Sequence, residues 1–484
     1  MLLRNGRALP LDILLLLVLV PAHIELKAVS FLMVISLFLY LFLEVWHPLT
    51  SHSNLPTDIG KTRIFFLGRF FLLLVMVTGA TVVPTVTNIY SRLSTEPDSP
   101  EYLQTYTNLH DGALQVELAL DFLGNGQNPY VESYDDTPLE FYTFSGIELP
   151  DNPVLEHFVY LPGLLVLSYP IHQIFQRLDF LYDQRWISLL AYVVFVLLLP
   201  QLAKAPTLKL ALIAGVALNP LLTGPVIIGM NDVITLLPLV AALFLFSQKR
   251  FLVSAILFGL ACTIKQSAWF FAPFYALLLY AALPQVSGLP RKPLPRLAPK
   301  VIPHLRDFAR KVNRTIDDDF LQNWTARAWQ TIKYLTVAAG TAVLILAPFA
   351  LWNLPDFITD VFSYPGGGAA VNYPIRGYTV GVLLVGGGMI QSPLDYFPFW
   401  SLQLVVGVPL LIRLLLYQAR QNSLGGLFIA AGLLIFGVGV VSRFFQSNYV
   451  GFVATTISLG FLLNLESNNG AREFNIASPT ESIL

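Results

Sequence analysis

The sequence predicts an all-α, polytopic membrane protein. Only 12% of its residues are charged against 55% hydrophobic, and a soluble chain carries roughly twice that charged share. Apolar runs of spanning length recur from one end to the other. The charges that remain are sorted, with bases gathered in some connections and acids in one.

The apolar runs fall at 9–24, 28–46, 64–83, 186–200, 207–220, 230–247, 251–264, 268–283, 331–350, 396–416, 424–441 and 449–465. That is about twelve spans, where a full crossing needs about 20 residues. Arg4 and Arg7 precede the first run, but no small-residue cleavage site follows it, so it reads as a retained span. Lys61, Arg63 and Arg69, then Lys249-Arg250, the bases of 284–330, and Arg413 with Arg420 all mark cytoplasmic ends. Both termini then lie inside. This alternation requires that 159–174 and 377–390 do not cross. Pro162-Gly163, Pro170 and Gly386-Gly387-Gly388 interrupt them, as in juxtamembrane or re-entrant helices on the outer face. The expected organisation is one transmembrane domain over 1–465. It carries a large outer loop at 84–185, a basic cytoplasmic loop at 284–330 and a second outer loop at 351–395. A disordered cytoplasmic tail follows at 466–484. The single cysteine, Cys262, excludes an intrachain disulfide and reads as a packing residue.

From 84 to 156 the first outer loop holds thirteen acids and one strong base, Arg92. Within it, Asn108–Glu117 reads as a helix start, with Asn108 as N-cap and Asp111 at the third helical position. Gln115 shares the face of Asp111, and Val116, Ala119, Leu120 and Leu123 form an apolar stripe. Asp111 either completes the cap and complements the helix dipole, worth roughly 0.5–2 kcal/mol, or is a reactive carboxylate held at the membrane surface. Beyond 156 the outer-side bases are few: Arg177, Arg185, Lys265, Arg376 and Arg443. Lys265 and Arg443 sit in apolar surroundings, where an unsolvated charge is costly. Snorkelling, or a salt bridge such as Lys265 with Asp232, is one reading. Capture of a lipid phosphate is the other. Asp135-Asp136 reads as a solvated pair or a divalent-cation site, and His110 and His157 lack zinc-ligand spacing. Trp269, Tyr275, Trp352, Tyr364, Tyr373, Tyr378 and Trp400 read as an aromatic belt at outer span ends, of which a subset could stack on sugar.

The order of these parts resembles a known superfamily. An outer His110-Asp111-Gly112 helix follows a span, and Phe122–Tyr130 resembles a "Leu-Leu-x-Gly-x-Asn-Pro-Tyr" stretch. Tyr160-Leu161-Pro162-Gly163-Leu164 resembles a "Tyr-Pro-Pro-Leu" juxtamembrane tract, with Leu-Pro-Gly as a departure. Gly229-Met230-Asn231-Asp232, then Lys265-Gln266, resembles a "Gly-x-Asn-Asp … Lys-Gln" pair. Over about 64–465 the chain thus looks like the GT-C superfamily of integral membrane glycosyltransferases, which use polyprenyl-phosphate sugars. The resemblance implies a bacterial, mannosyltransferase-like enzyme of the plasma membrane, inverting, with its site on the outer face. By that resemblance Asp111 is the catalytic base, and Lys265, Arg443 and Arg376 hold the donor phosphate. His110, Gln115, Glu117, Asp232 and Gln266 are candidate substrate-binding residues. Expected partners are the polyprenyl-phosphate-linked sugar, a glycan, lipid or protein acceptor, and membrane lipids, with no nucleic acid. No metal ligand and no cofactor is assigned, a divalent cation being the one candidate. A transporter or flippase for a lipid-linked sugar, and a glycan polymerase or ligase using a diphosphate donor, are the alternatives.

Overall fold

A computed structural model of the protein describes residues 10–23, 27–46, 59–96, 99–142, 153–283 and 318–476. Most of the expected basic loop, 284–317, lies outside the described residues. The chain is built from helices. Among the described residues strand pairing is confined to one parallel bridge, β1 (Arg376–Gly377) on β2 (Phe444–Phe445).

In order, the helices are α1 (Leu11–Leu19), α2 (Lys27–Trp46), α3 (Ile59–Val77), α4 (Val83–Ser94), α5 (Pro100–Thr105), α6 (Asp111–Gly124), α7 (Pro162–Arg177) and α8 (Arg185–Leu198). There follow α9 (Pro206–Leu212), α10 (Pro220–Ile227), α11 (Asp232–Ser247), α12 (Phe251–Ile264) and α13 (Ala272–Ala282). The last are α14 (Asp318–Trp352), α15 (Phe399–Gln421), α16 (Leu424–Val440) and α17 (Ser447–Ile476). Among the described residues, each of the twelve intervals read from hydropathy falls mainly on helix. By length and composition, six of the described stretches are long and apolar enough to cross a membrane: Val29–Trp46, Arg63–Ser94, Arg185–Leu202, Ala326–Trp352, Phe399–Gln421 and Ser447–Leu465. The pair Pro206–Ala217 and Pro220–Ile227, bent by 54°, makes a seventh if taken as one span. Leu11–His23, Asp232–Ser247, Phe251–Ile264 and Leu424–Val440 are apolar but shorter. Helix α7 and the short helix Val380–Gly386, expected not to cross, are in neither group.

Two boundaries differ from expectation. The third apolar run does not end near 83. Pro84 has no N–H to give, and the turn Thr78–Val82 widens to π-helical geometry, so helix continues to Ser94. At the other end α17 runs to Ile476, into the segment expected to lack order. Buried polar contacts tie the first three helices together: Tyr40 donates to Asp12, and Arg69 pairs with Glu44. Elsewhere the packing is apolar, α16 along α17, α11 along α12 and α12 along α14. Outward faces are apolar too, with Phe38, Leu344 and Val405 exposed, as suits a lipid environment.

One buried network joins α4, α6 and the start of α8. Arg92, near the end of α4, forks onto Glu117 of α6, with Nη2 at 2.7 Å from Oε2 and Nη1 at 3.0 Å from Oε1. Arg92 Nη1 also reaches Asp183 at 3.1 Å, and Asp183 accepts from Arg185 Nη2 at 2.7 Å, at the start of α8. The Gln184 N–H donates to Glu117 at 2.7 Å. Two guanidiniums and two carboxylates thus neutralise each other out of water. Removing one member leaves a buried charge unmatched, which costs about 3–5 kcal/mol. Glu117→Gln should therefore lower the unfolding temperature in detergent markedly, and an unchanged melting curve would contradict the assignment.

Candidate active site

Helix α6 begins differently from its sequence reading. Asn108 is not its N-cap. Tyr106–Asn108 forms a 3₁₀ turn, Leu109 is extended, and His110 becomes the cap, its Nδ1 accepting the Gly112 N–H at 3.0 Å. Two distant groups impose this. The His110 N–H donates to Ile228 O at 2.8 Å, and Arg185 Nη1 donates to Asn108 O at 2.9 Å. Asp111 is therefore the first residue of the helix, where the dipole favours a carboxylate. Its Oδ1 accepts from the Gly112 N–H at 2.7 Å and lies 2.9 Å from His110 Nδ1. Burial alone would raise the Asp111 carboxyl. The neighbouring His110, the Gly112 N–H and the charge of Arg376 outweigh it, and the group is held down at about 2.

Asp111 opens onto a cavity of about 740 Å³. The wall brings together His110, Asp111 and Gln115 from α6 and its cap, Lys265 and Gln266 from the turn after α12, Arg376 from β1 and Arg443 from the α16–α17 connection. Among the described lining residues Asp111 is the single carboxylate. At another end Phe399, Trp400, Ile435 and Val438 of α15 and α16 make the lining apolar.

The remaining predicted residues divide by what they touch. Glu117 does not line the cavity, which corrects its reading as a substrate contact: it faces Arg92 and Gln184 inside the charge network. Asp232 is not in the wall either. It holds Lys265, whose Nζ lies 2.6 Å from Asp232 Oδ1, 3.2 Å from Asn231 Oδ1 and 4.6 Å above the Tyr449 ring. Of the two readings of Lys265 from sequence, the ion pair is present. Gln115 lines the cavity but spends its amide nitrogen on Val154 O and His157 O, at 2.9 and 2.8 Å, bracing that loop. Arg443 is buried and donates to three carbonyls, those of Tyr373, Asp395 (2.9 Å) and Pro393 (3.0 Å). Its backbone oxygen accepts from the Arg376 N–H at 3.3 Å, so it also fixes the strand that carries Arg376. Asp135 and Asp136 lie in an exposed turn away from the cavity.

Several lining residues escaped the sequence reading. Tyr160 seats α6: a Cβ added at Gly112 would overlap its hydroxyl. Tyr449 packs on Lys265, and Gln446 donates to Tyr373 Oη at 2.6 Å. Of the expected aromatic belt, Tyr364, Tyr373 and Trp400 line the cavity, whereas Tyr275 is buried against Phe258 and Ser254. The Gly-x-Asn-Asp tract has a backbone reason. Gly229 has φ +88°, and a Cβ there would press on Arg185 and Ala113.

Two measurements follow. Gly112→Ala forces Tyr160 and the start of α6 apart, and misplacement on the order of 1 Å costs about 100-fold in rate, so turnover should fall by that order while the protein still folds. His110→Asn keeps a capping acceptor but removes the imidazole beside Asp111. The Asp111 carboxyl should then rise from about 2 toward its ordinary value. The depressed carboxyl is a base at every pH above it, so the acid limb of kcat/KM should move upward in this variant. An unmoved limb would show that His110 does not set it.

Residues 155–281 match the model of the MptA_B family, described as alpha-(1->6)-mannopyranosyltransferase, N-terminal domain. No curated protein and no solved structure matches the chain. The matched stretch contains Asp232, Lys265 and Gln266 and leaves Asp111, Arg376 and Arg443 outside it. It supports a mannosyl-transfer role and a glycosyltransferase activity. Over this stretch the chain is similar to an alpha-(1->6)-mannopyranosyltransferase family, and its resemblance to a GT-C-like mannosyltransferase holds.

Proposed function

We propose that the protein transfers mannose from a polyprenyl monophosphate to an acceptor hydroxyl, with inversion, at the outer face of a bacterial plasma membrane. One observation carries the reading: among the described lining residues a single carboxylate, Asp111, shares its cavity with Arg376, Arg443 and Lys265 and with apolar residues of α15 and α16. Retention through a glycosyl-enzyme intermediate calls for two carboxyl groups, a nucleophile and an acid/base. One carboxylate suits a single displacement. The acceptor oxygen attacks the anomeric carbon, the bond from that carbon to the phosphate oxygen breaks, and Asp111 takes the acceptor proton. A phosphate leaving group needs no general acid, only compensation of its charge.

The cations have unequal parts in this scheme. Lys265 enters the site already paired with Asp232, and Arg443 is occupied by carbonyls. Arg376 is the cation whose charge is felt at Asp111. The donor phosphate is assigned to Arg376 and Lys265, which share the cavity wall with Asp111, with Arg443 holding the Arg376 strand in place. The apolar end takes the start of the polyprenyl chain, since Phe399 and Trp400 open α15, a helix of membrane-crossing length.

The test is transfer from mannosyl polyprenyl phosphate by purified Asp111→Asn. General base catalysis contributes about 100- to 10,000-fold, so kcat should fall by at least about 100-fold with donor binding retained. Near-normal turnover would remove Asp111 from the role. Arg376→Gln should instead raise the donor KM, and an unchanged KM would reassign the phosphate.

A further inference from the structure

Two hydroxyls of cavity-lining residues have no hydrogen-bond partner among the described residues: Tyr364 Oη and Ser267 Oγ. Both side chains are buried. A buried hydroxyl left unmatched is destabilising, and native structures rarely keep one without reason. The other buried side-chain atoms in that condition belong to residues outside the cavity wall. The two line the same cavity from different segments. Ser267 follows Lys265 and Gln266, while Tyr364 comes from the 351–395 segment.

Tyr364 is also held rigidly. The His157 ring lies 4.3 Å from its ring at 30°, and Tyr373 meets it edge-on at 5.7 Å. His157 is fixed in turn by Asp360 at 2.7 Å, whose second oxygen accepts the Phe158 N–H at 2.9 Å. The backbone oxygen of Tyr364 accepts from the Tyr373 N–H at 3.2 Å. Burial, and then the neighbouring Tyr373, Asp111 and Asp360, keep its phenol well above the usual range, so it remains a donor at physiological pH. Such orientation, without a protein acceptor to receive the bond, suits a hydroxyl set to meet a ligand oxygen.

We propose that the hydroxyls of Tyr364 and Ser267 hydrogen-bond the sugar-phosphate headgroup of the donor and determine its recognition, with the His157–Asp360 pair positioning Tyr364. The proposal rests on the reading of the cavity as a polyprenyl-phosphate-sugar site. Tyr364→Phe and Ser267→Ala each delete an unmatched hydroxyl without breaking a protein contact, so the unfolding temperature in detergent should stay the same or rise. The donor KM should rise about ten- to a hundredfold, the range of a hydrogen bond to a charged or polar group. Binding of polyprenyl monophosphate without sugar, measured on the same variants, assigns the contact. Weakened binding points to a phosphoryl oxygen, and unchanged binding with a raised KM points to a sugar hydroxyl. Variants with wild-type KM and wild-type binding overturn the proposal, as does a KM change accompanied by a lowered melting temperature. Wild-type protein that neither binds nor turns over the donor fails the underlying reading, and this inference with it. Wild-type turnover with unaffected variants overturns this inference alone.

Discussion

The architecture depends on the neutralised charge network Arg92–Glu117–Asp183–Arg185. A carboxylate at the first position of a helix is useful at a membrane surface only if the helix cannot drift. The network supplies that constraint from below. Arg92 grips the middle of α6, and Arg185 grips the carbonyl of Asn108 just ahead of it. Ile228 completes the seat by accepting the His110 N–H. The cost of removing four charges from water is met by their pairing with each other and with backbone groups.

The cavity shows a related economy. Its cations are not equivalent point charges: one is paired with a carboxylate, one donates to carbonyls, and the charge of one lowers the Asp111 carboxyl. Asp111 is thus kept ionised by its surroundings. In the proposed transfer it would be a weak base in the ground state, effective only as the acceptor hydroxyl acidifies when the new bond forms. A stronger base would need a raised carboxyl, and with it a part of the population protonated at neutral pH.

Much of this was legible in the sequence because hydropathy and helix capping are local. Every apolar interval fell mainly on helix. Asp111, Lys265, Arg376 and Arg443 were singled out by charge in apolar or membrane-adjacent settings, and the structure brings them to one wall. What was not legible depends on partners far along the chain. Asn108 looked like a cap by residue type, but Arg185 and Ile228, 77 and 120 residues away, fix the helix start two positions later. Glu117 looked like a site acid because its partner Arg92 lay beyond any helical repeat. Arg443 read as a phosphate donor because carbonyl acceptors leave no trace in residue identity.

Gly229 has a consequence for how the protein can be divided. Its left-handed turn places the backbone that follows α10 directly against Ala113 of α6 and beside Arg185. The segment that carries Asp111 is thus not a lid laid over finished helices. Its floor is the turn after α10, and its lateral support is the first residue of α8. Helix α6 and the helices it packs on form one folding unit with an internal seam. A loop excised from this chain, or exchanged for that of another protein, would lose the surface on which its helix begins.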